Sequence, residues 1–172
     1  MRRMTALALG LALMAGASLA LAAGPRGSRG NPYPIRTVVP LPEAGGWSLR
    51  INSSIPNATR KVMAWNPYNR RPRRGHQFFI VNVTLAYSGE EPDSLFSPER
   101  FWAVGRSNIS YSLPGDSCGS IPKQVNFGKK VSPGGRLTGN LCFSVWKTDV
   151  QSLLLYYAKS PYGGVRVFFR LR

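Results

Sequence analysis

The densest chemistry in the chain is one seven-residue run, Arg70-Arg-Pro-Arg-Arg-Gly-His76. Four guanidinium groups and an imidazole this close suit recognition of phosphate, sulfate or carboxylate, because the planar guanidinium fork meets such oxyanions bidentately. Pro72 stiffens the run, and Trp65 and Tyr68 before it offer faces on which sugars or bases can stack. The expectation is an anion-binding loop made by Arg70, Arg71, Arg73, Arg74 and His76. The competing reading is a solvated connection in which like charges repel one another.

Catalysis finds little to work with. His76 is the sole histidine and there are two cysteines. A Ser-His-Asp arrangement would have to use His76 beside the arginines, and no Gly-x-Ser-x-Gly nucleophile elbow is expected. The acids are Glu43, Glu90, Glu91, Asp93, Glu99, Asp116 and Asp149, with Glu90-Glu-Pro-Asp93 the single cluster. It reads as a solvated hairpin loop rather than a calcium site, which needs more oxygen ligands at ordered spacing. Gly134-Gly135 lacks the Lys-Ser/Thr of a phosphate loop. No catalytic, cofactor or metal residue is therefore assigned, and the expectation is a protein that is not an enzyme. Trp47, Trp65, Trp102 and Trp146 are weighed as a carbohydrate platform against core packing, with Trp146 expected to be the most exposed.

The remaining charge points the same way as the arginine run. Lys and Arg number 23 against 7 Asp and Glu, a net charge of +16. Arg2 and Arg3 precede an apolar run from Ala6 to Ala23 that closes on Ala20-Leu-Ala22. A basic start, a short apolar region and an Ala-x-Ala site make a secretory signal peptide over residues 1–22. The alternative, a membrane anchor, has a run that barely reaches spanning length. Gly24 stands where a lipoprotein box would need Cys, so release without a lipid anchor is expected. Losing Arg2 and Arg3 takes the charge from +16 to +14. Such a field favours anionic partners: wall polymers, lipid headgroups, acidic polysaccharide or nucleic acid. The mature chain is expected to be monomeric, without a transmembrane segment, and secreted, whether extracellular or periplasmic. In that setting Cys118 and Cys142 are expected to form a disulfide.

Positioning these groups falls to strands. Residues 23–45 form a Pro/Gly-rich basic leader, of which 24–34 is expected to be mobile and Ile35–Val39 a weak edge strand. From residue 46 to 172 short strands follow one another: Trp47–Ile51, Arg60–Trp65, Gln77–Tyr87, Arg100–Val104, Ile109–Leu113, Gly135–Trp146, Ser152–Tyr157 and Val165–Leu171. Their period-2 alternation, with Gly, Pro, Asn and Ser between, predicts an all-β antiparallel sandwich of seven to nine strands, a closed barrel being the alternative. Ser97–Phe101 suits a single helical turn. Leu141 and Phe143 share the inward face, so Cys142 points outward and the bridge ties the Pro114–Pro122 loop over the outer face of its strand.

Several pieces recur in one order: Gly46-Trp47, Asn66-Pro67 with a basic loop, Gly75-x-x-Phe78-Phe-Ile-Val-Asn-Val-Thr84, Pro133-Gly-Gly-x-Leu-Thr-Gly139, Leu141-Cys-Phe-x-Val145 and Leu153-Leu-Leu-Tyr156. Over residues 46–172 the chain resembles the secreted bacterial immunoglobulin-like domains of the immunoprotective extracellular protein superfamily, including its uncharacterised bacterial branch. The resemblance implies an immunoglobulin-like sandwich, export and no established catalysis, and supplies no site residues. Two functions follow as expectations. The first is a non-enzymatic module that binds an anionic polymer through the arginine loop. The second is a protein-interaction module, of inhibitor or adhesin type, that uses the loops at a sandwich end.

Overall fold

The strongest alternating runs become the two longest strands. In a computed structural model that describes residues 24–95, 97–160 and 163–172, β3 (His76–Tyr87) and β6 (Arg136–Trp146) pair antiparallel without a break, from His76 opposite Trp146 to Ala86 opposite Arg136. The expected signal peptide lies outside the described residues. The other strands are β1 (Val39–Pro40), β2 (Trp47–Ile55), β4 (Phe101–Val104), β5 (Ser110–Ser112), β7 (Leu154–Ser160) and β8 (Gly163–Arg170). They form two four-stranded antiparallel sheets, β1-β2-β3-β6 and β5-β4-β7-β8. With β2, β3 and β6 as strands A, B and E and β4, β7 and β8 as C, F and G, this is the immunoglobulin-like order, β5 taking the place of C′. The expected helical turn is a 3₁₀ turn at Pro98–Arg100.

Alternation decides what goes inside. Phe79, Val81, Val83 and Leu85 of β3 meet Leu141, Phe143 and Val145 of β6 and Phe169 of β8 in the core, all nearly inaccessible to water. The opposite face of β3 is apolar at Phe78 and Ile80, then polar at Asn82 and Thr84. That apolar end forms a second cluster with Cys142 and Cys118, roofed by Ala58, Val62 and Ile121.

Three expectations are corrected. Arg60–Trp65 is not a strand: Thr59–Trp65 is a short helix, α1, over the outer end of β3. Its residues include good helix formers, and Thr59 Oγ1 accepts from Phe78 N–H while Ala58 N–H donates to Phe78 O, seating the helix start on β3. Residues 24–34 are not a free leader either. Phe168 N–H donates to Gly27 O, Tyr33 N–H to Phe168 O, and Arg170 N–H to Tyr33 O, so the segment covers the open edge of β8. Arg29 Nη2 continues to Gly105 O at 2.6 Å. Covering a sheet edge in this way satisfies backbone groups that would otherwise invite another chain. Val39, Leu41 and Ala44 lie in the main core, so the packed body begins before residue 46. Among the described residues no helix is long and apolar enough to cross a membrane.

Candidate functional site

Loop 66–75 leaves α1 and returns into β3 carrying the arginines. It is held at its start by Asn69, which is 8% exposed. Asn69 Nδ2 donates to Ser120 O at 2.7 Å and to Val62 O at 3.1 Å, and its Oδ1 accepts from Ser120 N–H at 2.9 Å. At its end, Gly75 takes φ +81°, and a Cβ there would meet the Trp146 ring at 2.4 Å. The His76 ring lies on Trp146 with centroids 4.1 Å apart.

The opposing wall is the loop after β5. The Cys118–Cys142 disulfide fastens it to the outer face of β6, as parity predicts, with Cα atoms 5.7 Å apart. Ser144 N–H donates to Asp116 O, and Gly119 takes φ +76° where a Cβ would strike Asn69 Oδ1. Between the two loops is an open cleft of about 560 Å³. Arg70, Arg71, Arg73 and His76 line one side, and Asp116, Ser117 and Cys118 the other. Arg74 does not line it. The guanidinium groups of Arg70, Arg71, Arg73 and Arg74 make no hydrogen bond or ion pair among the described residues, where the one ion pair joins Lys159 to Glu43. Four cations without protein counterions are a source of strong positive potential. The single carboxylate at the cleft is Asp116, whose Oδ2 accepts from Ser112 N–H at 2.8 Å.

The cleft also holds the letters of a hydrolase site. Contrary to expectation, Gly115-Asp-Ser-Cys-Gly119 does spell Gly-x-Ser-x-Gly. It is a turn pinned by a disulfide, however, not the strand-to-helix elbow that exposes a nucleophile. His76 Nδ1 faces Arg74 O at 3.3 Å, and no hydrogen bond joins Ser117, His76 and Asp116.

Behind Trp146 stands a buried carboxylate that sequence reading overlooked. Asp149 is fully inaccessible. Its Oδ1 accepts from Ser107 N–H at 3.0 Å, and its Oδ2 accepts from Tyr111 Oη at 2.7 Å and from Ser107 Oγ. Tyr111 Oη in turn accepts from Trp146 N–H at 3.3 Å. Burial pushes the Asp149 carboxyl up, but the hydrogen bonds from Ser107 and Tyr111 and the Arg106 charge outweigh it and hold the group below its ordinary value. Burial, then the bond to Asp149, pushes the Tyr111 phenol up to about 12. The network fixes the strand end on which His76 rests. A lone Asp after a strand gives no sequence signal of this role.

The other tryptophans disperse. Trp47 is buried and its Nε1 donates to Asp93 Oδ2 at 2.9 Å, which engages one acid of the Glu90–Asp93 cluster. Trp65 is 56% exposed against 39% for Trp146, because its segment is helical and turns it outward, so Trp146 is not the most exposed of the four. Tyr68, at the cleft, is 91% exposed.

No family model and no curated protein matches the chain. Among solved structures, the chain is similar to MPT63, a secreted protein from Mycobacterium tuberculosis, at 13% identity and a TM-score of 0.51, over 80% of this chain and 95% of that one. The yjhA protein from Bacillus subtilis is 14% identical with a TM-score of 0.48, over 81% and 99%. An uncharacterized β-sandwich protein from Clostridium difficile is 7% identical with a TM-score of 0.48, over 83% and 95%. The likeness to the first is one of fold, a β-sandwich.

Proposed function

We propose that the chain is an exported, non-enzymatic β-sandwich that binds anionic surface polymers in the cleft between the arginine loop and the disulfide loop. It would then belong to the secreted immunoglobulin-like superfamily it resembles, acting outside the cell or in the periplasm. The observation that carries this reading is the set of four guanidinium groups at a cleft-forming loop, none paired among the described residues. A solubility device has no need of a dense local cluster. Here four of the 23 basic residues fall on one short loop whose two ends are fixed, by Asn69 and by Gly75 against Trp146. Fixing the loop ends before binding reduces the ordering cost of recognition. Arg70, Arg71 and Arg73 supply bidentate contacts inside the cleft, Arg74 strengthens the field from outside it, and exposed Tyr68 offers a face to a sugar ring. The test is heparin binding by the mature chain and by R70S/R71S/R73S/R74S. The reading requires the variant to lose affinity at least tenfold with an unchanged unfolding midpoint, and equal affinity overturns it.

A further inference from the structure

We infer that the outer face of the β1-β2-β3-β6 sheet continues the cleft into a track for a linear acidic polysaccharide. This inference rests on the proposed function and extends it from one cleft to a face. Outward positions along β3 lead through three cavities in succession. Phe78 lies at the 560 Å³ cleft, Ile80 and Asn82 at one of about 230 Å³, and Thr84 and Ala86 at one of about 160 Å³. From the His76–Trp146 rung to the Ala86–Arg136 rung is ten residues, or about 33 Å of strand. The roof of α1 and the disulfide loop separates the first cavity from the second, and a bound chain crosses it.

Each cavity carries its own basic side chains. Lys61 of α1 and Lys123 line the second, and Arg50 and Arg136 line the third. Lys61, Lys123 and Arg136 have no side-chain partner among the described residues, and Arg50 Nε donates only to Asn52 Oδ1 at 2.9 Å. Asp116 in the first cavity is the one acid lining any of the three. Positive groups therefore recur along a face nearly free of opposing charge, which suits a long polyanion better than a compact one.

The lining between the cations selects the polymer. The second and third cavities hold Ser53, Ser54, Asn82, Asn140, Ser48 and Thr84, and no aromatic residue. Single-stranded nucleic acid draws its affinity from bases stacked on successive aromatic side chains, and such side chains are missing from these two cavities. Alcohols and amides between cations match a chain bearing hydroxyls between its charges. Asn82 and Asn140 are themselves fixed, Asn82 Nδ2 donating to Asn140 Oδ1 at 2.8 Å and Asn140 Nδ2 to Pro122 O at 2.7 Å.

The test uses the mature chain with a heparin tetrasaccharide, a heparin dodecasaccharide and a single-stranded oligothymidylate of matching length. The variants are K61S/K123S/R136S, the milder K61Q/K123Q in case the first does not fold, and R70S/R71S/R73S/R74S. The track requires the distal variant to bind the dodecasaccharide at least fivefold more weakly with tetrasaccharide affinity unchanged. Its log–log salt slope for the dodecasaccharide should fall by about one unit per removed contact. Wild-type dodecasaccharide affinity in both distal variants overturns the track while leaving the cleft intact. Full tetrasaccharide affinity in the arginine variant overturns the cleft itself. Tighter binding of oligothymidylate than of dodecasaccharide overturns the assignment to polysaccharide.

Discussion

The side-chain amide of Asn69 and the backbone of Ser120 exchange two hydrogen bonds, at 2.7 and 2.9 Å, as two paired strand residues would. This one contact joins the loop that carries the arginines to the loop that carries the disulfide, across 51 residues of sequence. Replacing Asn69 by Ala leaves the backbone groups of Ser120 without these partners, an expected cost of about 1–3 kcal/mol. Urea unfolding measures it. Heparin affinity should fall as well, although Asn69 carries no charge, because the loop beyond it loses its anchor.

The disulfide should contribute about 3.5 kcal/mol, the chain-entropy value for a loop closed across 24 residues. Cys118 and Cys142 belong to the small outer cluster rather than the main core. The C118S/C142S variant should therefore keep its far-UV circular dichroism and unfold at lower urea. Loss of the β signature at zero denaturant would contradict a peripheral bridge.

Stability should fall at both ends of the pH scale through Asp149 and Tyr111. The folded pKa of Asp149 lies below its unfolded value, so its contribution is complete above about pH 4 and is lost as pH falls through the folded value. Tyr111 has the opposite sign. Its folded pKa is raised to about 12, so its contribution is complete below the unfolded value and is lost as pH rises from there through the folded one. Urea midpoints across pH should be level near neutrality and decline at both ends, and D149N/Y111F should flatten both declines.

Gly75 sets the return of the loop into β3. At φ +81° a side chain is strained, and its Cβ would strike Trp146. The G75A variant should displace Trp146 and the His76 ring on it, which tryptophan fluorescence reads directly. An unchanged emission spectrum would show that the stack does not depend on that turn.

What could be read from the sequence follows the range of each signal. β3 and β6 are long enough for alternation to fix their faces, so the outward direction of Cys142 was legible. α1 spans seven residues, about two turns, and buries one side chain, Val62, so no helical period could emerge from Arg60–Trp65. Residues 24–34 look unstructured because they have little apolar surface of their own. They are ordered by backbone bonds to β8, more than 130 residues away, which composition does not encode. The arginines announce themselves by density. The residues that position them, Asn69, Gly75, Gly119 and Asp149, are single letters whose partners come from other loops. Gly115-Asp-Ser-Cys-Gly119 is a different case: the motif stands in the sequence against expectation, yet its Ser117 shares a cleft with His76 without sharing a hydrogen bond.

The central claim is that recognition is local to the arginine loop rather than a property of overall charge. The decisive measurement is the salt dependence of heparin binding for wild-type residues 23–172, R70S/R71S/R73S/R74S, and a control with equal charge loss elsewhere, K129S/K130S/R166S/R170S. All four control positions are exposed and line none of the three cavities. The account predicts at least tenfold weaker binding and a log–log slope flatter by about three to four for the loop variant, with the control near wild type. If the two variants lose affinity and slope equally, the positive charge acts as a diffuse field and the cleft is not a site.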